Sequence, residues 1–251
     1  MRVDGTSALV TGAVSGLGHA VARALAGEGA RVFGLDLAVA VASARPAAGV
    51  TYVPADITEP DAVERAVALA AAAGPLRTVV NCAGIAPSAR VLGRAGVHDL
   101  DLFSRVVKVN LVGSFNVMAL AARAMAETEA DDGGQRGVVI NTASVAAFDG
   151  QTGQAAYASS KGGVAALTLP AARDLALHGI RVCTIAPGIV DTPMMDSFPD
   201  EVRASLAAAV PFPRRLARPD EFAQLALAIV AHDYLNGEVI RMDGALRMAS
   251  R

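Results

Sequence analysis

What most constrains this chain is an alternation that runs from end to end. Short β-branched runs are separated by longer alanine-rich segments of helical period, without a linker or low-complexity break. A helix between successive strands returns the chain to the same end of a sheet, so the pattern predicts one parallel-sheet α/β domain over residues 1–251. Seven strands are predicted, at 7–12, 31–36, 51–56, 78–84, 137–144, 180–188 and 238–244. Helices are predicted near 17–28, 60–73, 99–128, 154–177, 201–208 and 219–231. Continuously apolar strands with amphipathic helices suit a sheet covered on both faces, and the right-handed crossover rule favours a doubly wound order. Thr58 and Pro219-Asp220-Glu221 read as helix starts, while Pro170 should bend or interrupt the run it falls in.

Composition excludes several kinds of partner. A net charge of −2 with pI near 6.1 offers no overall field for nucleic acid. The only basic cluster is Arg214-Arg215-Arg218, three charges that could face phosphates or solvent. His19, His98, His178 and His232 share no ligand spacing, and no H-E-x-x-H or C-x-x-C occurs, so no metal site is expected. Cys82 and Cys183 sit in apolar runs and read as buried, reduced thiols. The first strand begins within about six residues, leaving no room for a cleavable leader. The alanine-rich stretches carry charges and read as too short to span a bilayer, so a cytoplasmic protein without a membrane partner is expected.

After the first strand comes TGAVSGLG, Thr11 to Gly18. Gly12, Gly16 and Gly18 permit a tight turn and close approach to a pyrophosphate, and the free amides of a helix N-terminus supply donors. The spacing G-x-x-x-G-x-G departs from the commoner G-x-G-x-x-G, but the strand–loop–helix setting supports dinucleotide binding. Asp36 ends the second strand, where a carboxylate can accept both hydroxyls of an adenosine ribose. With no Arg or Lys between Asp36 and Arg45 and none in the glycine loop, NAD(H) is favoured over NADP(H).

Tyr157 and Lys161 stand four apart in YASSK and share one helix face. An ammonium at the phenol would lower its pKa toward the range of a general base. Ser144, at the end of the fifth strand, should reach the same edge and hold a substrate oxygen.

These residues resemble the short-chain dehydrogenase/reductase family. The resemblance rests on TGAVSGLG, NCAG at Asn81-Cys82-Ala83-Gly84, Asn110 in KVNLVG, Ser144, YxxxK and Pro187-Gly188, and spans nearly the whole chain. It implies a Rossmann domain in which Tyr157 is the acid/base and Lys161 binds the nicotinamide ribose and lowers the phenol pKa. It further implies that Ser144 orients the substrate oxygen, Asn110 supports a water relay, and a homotetramer forms through long helices. A closer resemblance, to the type II 3-hydroxyacyl-CoA dehydrogenases, is carried by the segments GGQRG, TLPAARDLA, VPFPRRL and LNGEVIRMDGALRM. It implies NAD contacts at Ser15, Leu17, Asp36, Asp56, Ile57, Cys82, Tyr157, Lys161, Val190 and Thr192, and a substrate contact at Gln154. A substrate lid is expected at about 190–215, where apolar Met194, Met195, Phe198 and Leu206 either edge a substrate cleft or simply close the lid. The chain departs from that pattern at 87–101, at 194–209 and at Asp191. The implied activity is interconversion of 3-hydroxyacyl-CoA and 3-oxoacyl-CoA. A 3-oxoacyl-carrier-protein reductase, a hydroxysteroid dehydrogenase and a non-catalytic NAD-binding sensor are the alternatives.

Overall fold

In the computed structural model, which describes residues 1–94, 96–196 and 198–250, the alternation folds as a seven-stranded parallel sheet. Its strands are β1 (Ser7–Thr11), β2 (Arg31–Asp36), β3 (Val50–Pro54), β4 (Leu76–Asn81), β5 (Gly137–Thr142), β6 (Ile180–Pro187) and β7 (Val239–Met242). Their spatial order is β3-β2-β1-β4-β5-β6-β7. The order reverses between β1 and β4, and the carboxyl ends on either side of that switch form the crevice that open α/β sheets use for ligands.

Period-two alternation sends the strand side chains to opposite faces. Val10, Val80, Ile140 and Ile185 join one core with Val21 and Leu25 of α1 (Gly16–Gly27) and Phe222 and Ile229 of a C-terminal helix at Pro219–Ala231. Leu9, Val79, Val139 and Val182 join the other. There they meet Val63 and Val67 of a helix at Pro60–Ala73 and Val117 and Met125 of a helix at Ser114–Ala126. In chain order the remaining helices make α2 (Ala38–Ala42), α3 (Pro60–Ala73), α4 (Leu100–Val107), α5 (Ser114–Ala126), α6 (Ala155–Ala176), α7 (Asp200–Ala208) and α8 (Pro219–Ala231).

Several expectations need correction. The run 99–128 is not one α-helix: a π-helical turn, Lys108–Gly113, separates α4 from α5. Gly113 makes room there for Ile57, whose Cδ1 would lie 2.8 Å from an added Cβ. Pro170 does not interrupt α6, which continues for 22 residues around it. Thr58 does not cap α3; Glu59 takes that position ahead of Pro60, and the Thr58 hydroxyl donates to Asp56 Oδ1 at 2.8 Å. A short helix, α2, and a hairpin pairing Leu92–Gly93 with Gly96–Val97 carry no advance signal of their own. By length and composition alone the run Leu100–Ala126, which is not among the alanine-rich stretches read as too short, is long and apolar enough to cross a membrane. Its buried side nevertheless packs into the α3 and α6 layer, and it carries Asp101, Arg105, Lys108 and Arg123.

Candidate active site

Each strand ends by delivering one part of the site. Beyond β1, Gly12 takes φ +65° and approaches the NCAG loop so closely that an added Cβ would lie 3.0 Å from the Ala83 backbone nitrogen. An added Cβ at Gly18 would collide with the Gly12 carbonyl oxygen, so α1 starts hard against the loop. Ser15 occupies the N-cap without a side-chain cap bond, and no acidic residue stands in the first turn. The first amides of α1 are therefore free of side-chain capping and carry the positive end of the helix dipole. Leu17 is partly buried against the core behind them, and Gly16 faces Thr192, whose Cβ would lie 3.5 Å from an added Cβ.

Thr11 braces this loop: its Oγ1 accepts from the backbone N–H groups of Cys82 and Ala83, each at 3.1 Å. At the end of β2, Asp36 Oδ2 accepts from Val14 N at 3.1 Å and Oδ1 from Leu37 N at 2.9 Å. Both oxygens keep further lone pairs for ribose hydroxyls. Beyond β3, Asp56 is exposed and accepts from the Thr58 N–H at 2.9 Å, while Ile57 is buried. Pro187 ends β6, Gly188 donates to Met242 O at 2.9 Å, and Val190 is buried and bridges to Ala217. Thr192 caps the short helical turn Pro193–Met195. Thus the proposed dinucleotide residues line the carboxyl edge, with two qualifications. Asn81 is buried, its amide donating to Ser114 O at 3.2 Å and Asn141 Oδ1 at 2.9 Å, so it ties β4 to β5 and α5. Cys82 accepts from the Thr142 hydroxyl at 3.8 Å, and burial pushes its thiol up to about 12, which keeps it unreactive.

Ser144 lies just past β5 as N-cap of a 3₁₀ turn, Val145–Ala147, where Oγ accepts from Ala146 N at 3.1 Å. Its hydroxyl lies close enough to the Tyr157 phenol to act on its pKa. Gln154 is the N-cap of α6, beside Ala89. Two turns on, and one turn beyond Tyr157, the Lys161 ammonium is buried, donates to Thr142 O at 2.6 Å and sits 5.8 Å from the centroid of the Tyr157 ring. This corrects the expected pKa coupling. The Tyr157 phenol is held above its ordinary value by burial, with only the Ser144 hydroxyl acting to lower it. Burial likewise brings Lys161 down to about 8. Four-residue spacing placed the two on one face, but the long lysine chain ends at the strand carbonyl and lies against the face of the ring.

Asn110 sits in the π turn, a common device at functional sites. Its Oδ1 accepts from Ile85 N at 2.8 Å, and its Nδ2 donates to Ile85 O at 2.9 Å and Ser160 Oγ at 3.0 Å. Ser160, fully buried, donates in turn to Tyr157 O at 2.7 Å. Gly84 fits between, since an added Cβ would lie 3.1 Å from Asn110 Oδ1 and 3.6 Å from Lys161 Nζ. Thr11, Thr142 and Ser160 were missed in the sequence; their only signal is that they stand within two residues of Gly12, Ser144 and Lys161.

The arginine cluster is largely committed to the fold. Arg215 makes a two-pronged pair with Glu221 at 2.8 and 2.7 Å, and Arg218 lies 3.6 Å from the same carboxylate. Glu221 also accepts from Arg218 N at 2.8 Å, capping α8, and these partners hold its carboxyl down at about 2. Among the described residues Arg214 makes no ion pair. In the segment expected as a lid, α7 is tethered by Arg203 to Asp191 at 2.6 Å, while Phe198 is exposed and the Met194 side chain lies outside the described residues. Among the described residues no group of three or more His, Cys, Asp or Glu could hold a metal.

Comparison with known proteins places this geometry. The short chain dehydrogenase family matches residues 6–203. The 3-hydroxyacyl-CoA dehydrogenase type-2 of Bos taurus is 51% identical over 252 residues, covering 98% of this chain and 97% of the relative. The (3R)-3-hydroxyacyl-CoA dehydrogenase of Rattus norvegicus is 35% identical over 265 residues, covering 99% and 98%. The crystal structure of 3-hydroxyacyl-CoA dehydrogenase type-2 from Mycobacterium avium aligns with a TM-score of 0.92 at 40% identity, covering 98% of both chains. On the family match and these identities over nearly the full chain, the chain belongs to the short-chain dehydrogenase family.

Proposed function

We propose that the protein is an NAD-dependent oxidoreductase that interconverts 3-hydroxyacyl-CoA and 3-oxoacyl-CoA. The carrying observation is the meeting of Ser144, Tyr157 and Lys161 at the edge onto which the uncapped α1 N-terminus and Asp36 open. The substrate class is supported by relatives of that name at 51% identity over nearly the full chain.

The bound nicotinamide would accept or supply a hydride at C3 of the acyl chain. Its pyrophosphate would be held by the amides of Gly16, Leu17 and Gly18 and its adenosine ribose by Asp36, with no cation there to favour a 2′-phosphate. In the reductive direction the neutral phenol that burial favours gives its proton to the C3 oxygen, which Ser144 orients. In oxidation the same Tyr157 oxygen takes the hydroxyl proton. Lys161, held by Thr142 O and lying against the Tyr157 ring, would offer its ammonium to a ribose hydroxyl. Asn110 holds the Ile85 loop and Ser160 in place around them.

Assembly belongs to the same proposal. A homotetramer is supported by the family resemblance and by half-exposed Val112 and Phe115 on the long helical run. For the activity, purified protein should reduce acetoacetyl-CoA with NADH, and Tyr157→Phe should lower kcat by about 10²–10⁴-fold. Reduction of carrier-protein thioesters or steroids, with no acyl-CoA turned over, would move the assignment to those substrates.

A further inference from the structure

The stretch 148–154 carries Gln154 and leads directly into the helix that bears Tyr157, so its position sets one wall of the site. It is held from two sides. On one, Gly153 O accepts from Ala89 N at 2.8 Å and from the Ser88 hydroxyl at 3.3 Å. On the other lies the C-terminal segment, where Ser250 O accepts from Thr152 N and Oγ1 at 3.1 and 2.9 Å and Ala249 O from Gln151 Nε2 at 3.0 Å.

Arg241, in β7, is the hub of this second attachment. Its guanidinium donates to Asp149 Oδ2 at 2.6 Å, Asp243 Oδ2 at 2.7 Å and Leu246 O at 3.1 Å, and lies 5.4 Å from the centroid of the Phe148 ring. Arg241 and Asp149 are only 23% and 20% exposed, so water screens this pair less than a free surface pair. The turn that follows is strained: Ala245 takes φ +66°, a left-handed conformation a residue with a Cβ holds only when its surroundings enforce it. Asp243 provides that enforcement, accepting from Ala245 N at 3.0 Å and Arg247 Nη1 at 3.1 Å.

We propose that Arg241 is a positioning residue for the substrate: through Asp149 and the C-terminal segment it fixes the 148–154 loop, and thereby Gln154. The inference rests on the functional reading above. Asp36 and the glycine loop, which would hold the adenosine ribose and pyrophosphate, lie across the sheet at β1 and β2. Gly188 is nearer, donating to Met242 O and packing so tightly on Asp243 that an added Cβ would lie 2.9 Å from its Cα, but these are backbone contacts that substitution of the Arg241 side chain leaves in place.

The test is steady-state kinetics of the full chain with acetoacetyl-CoA and NADH. Arg241→Met should raise KM for acetoacetyl-CoA about tenfold while KM for NADH stays within about twofold, the cost of loosening one wall without touching the cofactor. Arg241→Lys, which keeps a charge for Asp149 but loses the fork, should recover part of the loss. If Arg241→Met does not fold, Gln151→Ala with Thr152→Val removes two side-chain donors to the tail and should raise the same KM about threefold. Folded variants with unchanged acyl-CoA KM, or with both KM values raised in proportion, overturn the inference. If the unsubstituted chain leaves acetoacetyl-CoA untouched, the functional reading falls, and the same ratio decides the role of Arg241 with a ketone that the chain does reduce.

Discussion

Lys161→Met should stabilise the protein in the absence of dinucleotide. The Lys161 ammonium is 5% exposed, finds one acceptor in Thr142 O at 2.6 Å, and is brought by burial from 10.5 to about 8. At about 1.4 kcal/mol per pH unit, that gap means the buried charge costs about 3 kcal/mol at pH 7. Methionine keeps the length and removes the charge, but leaves the Thr142 carbonyl without its donor, a loss of about 1 kcal/mol. The variant should therefore be more stable at pH 7 by about 2 kcal/mol. Between pH 8 and 10.5 the unfolded parent still holds a proton the native state has released, so parent stability rises with pH through that window and is flat below it. The advantage of the variant should shrink from pH 8 upward and reverse by pH 10.5. Urea unfolding of both proteins across pH 7–10.5 measures this difference. A variant less stable than its parent at pH 7, or a difference that ignores pH, would refute the claim that desolvation dominates at this lysine.

Other outcomes can be checked alongside. Asp36→Ala should narrow a preference for NADH over NADPH that is at least about tenfold in kcat/KM in the parent, with the chemical step largely intact. Gly18→Ala should destabilise by about 1–3 kcal/mol, because its Cβ meets the Gly12 and Thr11 backbone. Gly27→Ala in the same helix, with nothing within 4 Å, should instead gain about 0.5–1 kcal/mol. Glu221 contributes stability above pH 4.5 that is lost as pH falls toward 2, and Arg215→Met should flatten that acid dependence in unfolding experiments. Arg214→Glu should leave stability nearly unchanged and raise KM for acetoacetyl-CoA more than for an uncharged ketone.

The strand order and the edge carrying the site were legible because local signals and the crossover rule agree: each apolar run ends at a glycine, an acid or a small polar residue. The features the sequence hid depend on contacts between distant segments. KVNLVG has ordinary helical spacing, and its π turn is seen only with Ile57 against Gly113 and the Ile85 backbone on Asn110. The arginine cluster looked free because Glu221 lies three residues beyond Arg218 and six beyond Arg215, within reach only once α8 turns back.

Tyr157 and Lys161 show the same limit in the chemistry itself. Spacing fixes which backbone positions are neighbours, and an ammonium next to a phenol lowers its pKa only if the two polar ends meet in a place where the charges outweigh their lost hydration. Here Lys161 runs on to the β5 end, and the phenol is left with Ser144 in a buried setting that raises it. Burial thus favours the neutral phenol, the form able to give a proton to an oxygen, and spacing alone could not show that because it says nothing of where the lysine chain ends.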